Sequence, residues 1–237
     1  MAVTKELLST FPLLAPVPQA ALEDLAQVAM LQKFARREIV LKAGEEQEHL
    51  CFLFEGRLQG VDFTIDGREV GLFFVEPGDF CGELPLFDSG PQPEYIVALT
   101  TAVVVKIPLV NFREIMTKTP EVLSNLSSKL AEKLREMAHQ RTLLGLPNVS
   151  QRVCCQLWLL VPHNENEGEN DESDTCAITN PPTHLEIAIM LNVSRETVTR
   201  VFQKLQNQKL VQRAGPTRLM VKNPKALKQL AEGLLEL

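Results

Sequence analysis

The stretch that most constrains this chain is Thr183–Val211, THLEIAIMLNVSRETVTRVFQKLQNQKLV. Its apolar residues fall into two short helical registers separated by a break. Leu185, Ile187 and Ala188, with Leu191 behind them, put a stripe on the first; Val198, Val201, Phe202 and Leu205 recur at steps of three and four on the second. Between them stands Leu191-Asn192-Val193-Ser194. Asparagine accepts the left-handed conformation that such a turn demands, and serine is a strong N-cap. Thr183, with Glu186 three residues later, forms a capping box for the first helix. The outer face of the second helix carries Arg195, Glu196, Thr199, Arg200 and Gln203. A helix-turn-helix with that face has the chemistry for reading base edges in a DNA major groove. Arg195 offers a fork to a guanine, Glu196 accepts from a cytosine, and Arg200 lies about 7.5 Å further along the axis, within reach of another guanine.

A net charge of −6 looks wrong for a partner of DNA until it is resolved along the chain. From Arg195 to Lys228 there are nine basic residues and one acid, Glu196, whereas His163–Asp174 holds six acids and no base. Phosphates respond to the local field, so the basic block is the relevant one. The acidic, Gly/Asn-rich stretch is expected to be a solvated loop. The extended pieces around Ala214-Gly215-Pro216 read as a β-wing, Thr175–Ile178 as a short strand and Lys225–Leu235 as a closing helix. No run of about 18 apolar residues occurs and the N-terminus lacks a secretory leader's pattern, so the expectation is a cytoplasmic protein without a membrane partner. The five cysteines are scattered, with no CxxC pair, and point to neither a disulfide framework nor a zinc site. No catalytic triad or metal constellation is visible, and an enzyme is not expected.

The N-terminal half has a different grammar. Residues 5–31 read as helical, with Leu22, Leu25, Val28, Ala29 and Leu31 at helical spacing and Pro16 and Pro18 breaking the pattern before them. From Gln32 to about Pro108 short apolar runs each end in a turn signal: Ile39–Leu41 before Ala43-Gly44, Leu50–Phe54 before Glu55-Gly56, Leu58–Ile65 before Asp66-Gly67, Val70–Val75 before Pro77-Gly78-Asp79, then Ile96–Ala98 and Ala102–Ile107. Strands recurring at such intervals predict a β-sandwich or jelly roll. Asn111–Thr117 is a short helical piece. Beyond Pro120, with Thr119 as its N-cap, Leu123, Leu126, Leu130, Leu134, Met137, Arg141 and Leu144 follow at steps of three and four, a heptad-like seam beside an exposed charged face of Lys129, Glu132, Lys133, Arg135 and Glu136. Gly145 and Pro147 end that helix.

Gly44-Glu45, Gly56, Asp66-Gly67 and the run Gly78-Asp79-Phe80-Cys81-Gly82-Glu83-Leu84-Pro85-Leu86-Phe87, in this order before SRETVTR in a helix-turn-helix, resemble the cyclic-AMP receptor/fumarate-nitrate-reduction regulator (Crp/Fnr) family of bacterial transcription regulators. The resemblance covers nearly the whole chain. It implies an α+β architecture in three parts: a double-stranded β-helix effector domain (1–119), a dimerisation helix (120–147) carrying Leu123, Leu126, Leu130, Leu134, Met137 and Leu144, and a winged helix-turn-helix (148–237). It implies a homodimer reading a TGTGA-like palindrome through Arg195, Glu196 and Arg200, with Thr183, Ser194 and Thr197 on phosphates and RNA polymerase as onward partner. Leu185 stands where the family often has a phosphate-contacting Gln.

The same resemblance places an effector pocket at Gly82, Glu83, Leu84, Pro93, Glu94 and Met137. In members that bind cyclic AMP a Glu like Glu83 holds the ribose, and an Arg-Ser pair grips the phosphate. Here that pair falls on Pro93 and Glu94, and no Arg or Lys occurs from Glu69 to Val105. Proline has no donor and a carboxylate repels phosphate. Met137 and Ala138 replace the Thr-Ser pair that meets the base. Cyclic AMP is therefore not the expected ligand. Haem on Cys81 and His49, a cyclic dinucleotide, another ligand or none remain open. The competing function is a ligand, redox or gas sensor whose helix-turn-helix serves protein contact.

Overall fold

The computed structural model describes residues 2–88, 90–162, 175–215 and 217–237. The acidic stretch 163–174 and Pro216 of the wing turn lie outside the described residues. The chain divides into two compact units, Met1–Met137 and Ala138–Leu237.

In the first unit, α1 (Lys5–Leu8) and α2 (Gln19–Val28) precede eight strands: β1 (Met30–Phe34), β2 (Ile39–Leu41), β3 (His49–Glu55), β4 (Leu58–Phe63), β5 (Glu69–Val75), β6 (Phe80–Cys81), β7 (Tyr95–Ala98) and β8 (Ala102–Pro108). Then come α3 (Leu109–Lys118) and α4 (Pro120–Leu144). The strands form two four-stranded sheets, ordered β1-β8-β3-β6 and β2-β7-β4-β5. All pairings within them are antiparallel. Asp66-Gly67 turns β4 into β5, with Gly67 at φ +77°. The expected jelly-roll arrangement is therefore present. The helical reading of residues 5–31 holds in pieces, with α2 beginning after the expected break at Pro18, and one expectation is corrected: Leu31 lies in β1 rather than on a helical stripe.

The alternation of β3 divides the core. Cys51 and Leu53 point into a layer shared with Leu58, Val75, Ile96 and Ala98 of the other sheet. Leu50 and Phe52 point the other way, into a second layer with Leu22 and Leu25 of α2, Phe112 and Ile115 of α3, and Val122 and Leu126 of α4. The first sheet is thus covered on both faces, by a sheet and by helices.

This corrects the reading of α4. Leu126 is fully buried in its own unit, four residues after Val122, and so is not part of an open seam. The exposed apolar residues are Leu123, Leu134 and Met137, with Leu130 and Leu144 half-buried. They follow the steps 123, 127, 130, 134, 137, 141, 144, with Ser127 and Arg141 at the polar positions. The inward stripe is 122, 126, 129, 133. It carries two lysines, so Lys129 and Lys133 do not belong to a solvated face: Lys129 pairs with Asp79 at 3.1 Å, and Lys133 reaches deeper.

In the second unit, α5 (Val149–Leu159), α6 (His184–Leu191), α7 (Arg195–Asn207) and α8 (Pro224–Glu232) surround a three-stranded sheet of β9 (Cys176–Thr179), β10 (Val211–Arg213) and β11 (Arg218–Val221), ordered β10-β11-β9. Asn148 caps α5, its side chain accepting from Ser150 and Gln151 N–H. Val153 and Leu157 of α5, Ile187 and Leu191 of α6, and Val198, Phe202 and Leu205 of α7 fill one core. Leu185 is only half-buried and stands outside it.

Candidate nucleic-acid interface and effector cleft

The interface is built by local capping. Thr183 Oγ1 accepts from Glu186 N–H at 3.3 Å and Glu186 Oε2 accepts from Thr183 N–H at 2.9 Å, completing the capping box. Helix α6 stops at Asn192, at φ 50° and ψ 51°, the left-handed turn that an asparagine side chain tolerates. Ser194 Oγ then accepts from Thr197 N–H at 3.1 Å and starts α7. Phe202, Val198 and Leu205 anchor the inner face of α7, so Arg195, Glu196 and Arg200 stand exposed on the outer face.

The surrounding groups fix this helix start. Ser194 Oγ and Thr197 Oγ1 lie 2.9 Å apart. Thr199 Oγ1 donates to Arg195 C=O at 2.9 Å; with that hydrogen committed, the hydroxyl oxygen accepts from His184 Nδ1, 3.0 Å away. The His184 ring packs on Phe202 at 4.3 Å between centroids, and burial, with Arg213 and Arg195 nearby, holds its pKa below the usual value. His184 is a link between α6 and α7 that sequence reading missed; an imidazole next to the N-cap was its only sign. Glu196 has its carboxyl pKa lowered by its own backbone N–H and then by the Ser194 hydroxyl, and it is fully exposed. An ionised carboxylate at a helix N-terminus suits the helix dipole and also leaves an acceptor facing outward. Beside α7, β10 and β11 pair Val211 with Val221 and Arg213 with Leu219 and present Arg213, Arg218 and Lys222. The surface offers donors in fork geometry, hydroxyls and a basic wing.

The residues around Glu83 differ from the effector pocket that the sequence predicts. Gly82, at φ +81°, lets the chain turn against His49 C=O, where a Cβ would come within 3.1 Å. Glu83 is buried and its Oε1 accepts from Lys133 Nζ at 2.7 Å. Lys133 also donates to Phe80 C=O at 3.1 Å and lies over the rings of Phe80 (4.8 Å) and Phe73 (5.6 Å). Glu94 is partly buried; burial first, then the neighbouring Glu83 carboxylate, lifts its pKa to about 7, against the pull of Lys133. Gln92, buried beside it, donates to Glu94 Oε1 at 2.9 Å. Leu84, Pro93 and Met137 are exposed and do not join this cluster. Lys133, Gln92 and Phe73 do, and none is expected from the sequence. Position 133 on the 122-126-129 stripe was the available signal for Lys133.

Cys81 lies directly across from Cys51 in the β3–β6 register, both wholly buried. Its thiol pKa is raised well above the usual value, by the hydrogen bond with Cys51 and then by burial. A sulfur so enclosed does not fit as a haem ligand with His49. Among the described residues no group of three or more His, Cys, Asp or Glu is placed to hold a metal ion, and no helix is long and apolar enough to cross a membrane.

Residues 31–119 match the cyclic nucleotide-binding domain family, and residues 151–230 match the Crp-like helix-turn-helix domain family. The cAMP-activated global transcriptional regulator CRP of Pasteurella multocida is 29% identical over 194 residues, covering 79% of this chain and 88% of the relative. Among solved structures, FixK2 from Bradyrhizobium japonicum superimposes with a TM-score of 0.70 at 21% identity, covering 86% of this chain and 97% of that one. A CRP-family transcriptional regulator from Thermus thermophilus, TTHB099, gives 0.62 at 27% identity over 85% and 96%.

Proposed function

The chain belongs to the Crp/Fnr family of bacterial transcription regulators, which are not enzymes, and on that premise we propose that it is a homodimer reading a TGTGA-like palindrome. Arg195, Glu196 and Arg200 read bases, and Thr183, Ser194 and Thr197 hold phosphates. The observation that carries this reading is the exposed Arg195-Glu196-Arg200 face on a helix whose start is fixed by the Ser194 cap and whose inner face is fully packed. The functional division is an effector domain (1–119), a dimer helix (120–147) and a winged helix-turn-helix (148–237), at work in the cytoplasm with RNA polymerase as onward partner. The dimer seam runs through Leu123, Leu130, Leu134, Met137 and Leu144. Two recognition helices then enter successive major grooves about 34–36 Å apart.

The effector is not cyclic AMP, although the Pasteurella relative is named as activated by it. A cyclic phosphate here meets Glu94 and an exposed Pro93, and Glu83 already holds a lysine.

The test is duplex binding against salt and sequence. Affinity for the palindrome falls steeply with salt, because Lys/Arg–phosphate contacts release counterions. Arg195→Ala costs about 1–3 kcal/mol on the palindrome and relaxes the preference at one guanine. Equal affinity of the unsubstituted protein for palindrome and scrambled duplex overturns the assignment.

A further inference from the structure

From Glu69 to Val105 the β-domain supplies no Arg or Lys of its own, yet it places Glu83 and Glu94 close enough to interact electrostatically, Glu83 buried and Glu94 partly buried. The balancing cation comes from α4. Lys133 Nζ lies 2.7 Å from Glu83 Oε1 and 3.1 Å from Phe80 C=O, with the Phe80 and Phe73 rings at 4.8 and 5.6 Å. A carboxylate, a carbonyl and two aromatic faces are how proteins recognise an ammonium ion. The cage has been made room for: a Cβ on Gly60 would meet the Phe73 ring at 2.6 Å, so the ring sits there only because residue 60 is glycine.

We propose that the effector cleft is a binding site for a primary ammonium group, that Lys133 is its tethered resident occupant, and that this occupancy replaces a diffusible effector. The proposal rests on the DNA-reading function above and adds what fills the sensor. Anions are disfavoured in the cleft by its two carboxyl groups. The ion pair pins the turn after β6 to α4 with no small molecule present. Helix α4 bears the exposed Leu123, Leu134 and Met137 stripe and continues beyond Met137 into residues of the second unit. The state of the cleft is thereby written into the helix that sets dimer geometry.

The experiment uses the full chain, with the palindrome followed by fluorescence anisotropy and folding by thermal melting. Unsubstituted protein binds with no added effector. Lys133→Ala loses about tenfold or more in affinity, as removal of one partner of a buried pair does. Propylammonium, the part of the side chain removed, restores affinity and raises the melting temperature in a saturable way; 1-propanol and propionate do neither. Should Lys133→Ala fail to fold, Lys133→Met and the double variant Glu83→Gln/Lys133→Met replace it. The double variant leaves no unpaired buried charge at these two positions, so melting recovers while DNA affinity stays low. Three outcomes overturn the proposal: lysine variants that bind as tightly as the unsubstituted protein, rescue by propanol or propionate equal to that by propylammonium, or affinity that returns together with melting in the double variant. If the unsubstituted protein shows no preference for the palindrome, the DNA-reading function fails instead, and the ammonium site is decided by the melting-temperature rescue alone.

Discussion

Glu94 carries a carboxyl group whose ordinary value of 4.5 is lifted to about 7 in the folded chain, by burial and then by the charge on Glu83. A raised folded value means the native state holds a proton that the unfolded chain has released. Stability from this group is therefore present below pH 4.5 and is lost as pH rises through about 7. Between pH 5 and 7.5 the urea midpoint falls, and Glu94→Gln flattens that fall; an unchanged slope in the variant refutes the assignment. Single residues show how far a sequence can be read. Asn192, Ser194 and Thr183 do what their types predict, because turn and cap preferences depend only on neighbouring backbone. Lys133 reads from sequence as part of a solvated face, because a lysine ordinarily is. Its burial depends on Glu83, 50 residues away, and no local pattern records that distance.

The element that joins these levels is α4, with 25 residues and a length of about 37 Å. Under the proposed dimer its two stripes have different duties. Leu126→Ala removes a fully buried side chain and lowers the stability of the first unit by about 2–5 kcal/mol in urea unfolding, leaving self-association intact. Leu134→Lys changes a side chain that is 70% exposed and barely moves that stability, yet weakens the dimer about tenfold or more in sedimentation equilibrium. If Leu134→Lys stays as dimeric as the unsubstituted chain, the outer stripe is not the seam. A three-four spacing identifies an apolar helix but cannot divide its leucines between an intrachain core and a partner, since both use the same steps. Strands were more legible. β2 to β5 each end at a Gly or Asp-Gly turn, whereas β1 follows α2 after only Ala29, and its Leu31 falls by chance on the helical phase. The two-residue β6 is too short for any period to show.

At the scale of the molecule, charge and core are both divided. The net charge of −6 conceals nine basic residues between Arg195 and Lys228, and each of the two units has a core of its own. Calorimetric unfolding is accordingly expected to show two transitions, with palindromic duplex raising the one belonging to residues 138–237, because a ligand stabilises the part that binds it. A uniform upward shift of both transitions would show the units to be one cooperative body. The order of parts was readable from motifs; the pairing of Lys133 with Glu83 was not, because it is a contact between the β-domain and α4. Gly60 extends this to inheritance. Any side chain there collides with Phe73, so a lineage cannot alter residue 60 without displacing an aromatic wall of the cleft. Among descendants of this protein, residues 60, 73, 83 and 133 are expected to change together or stay together, and a sequence keeping Lys133 while replacing Gly60 marks a sensor that has found another input.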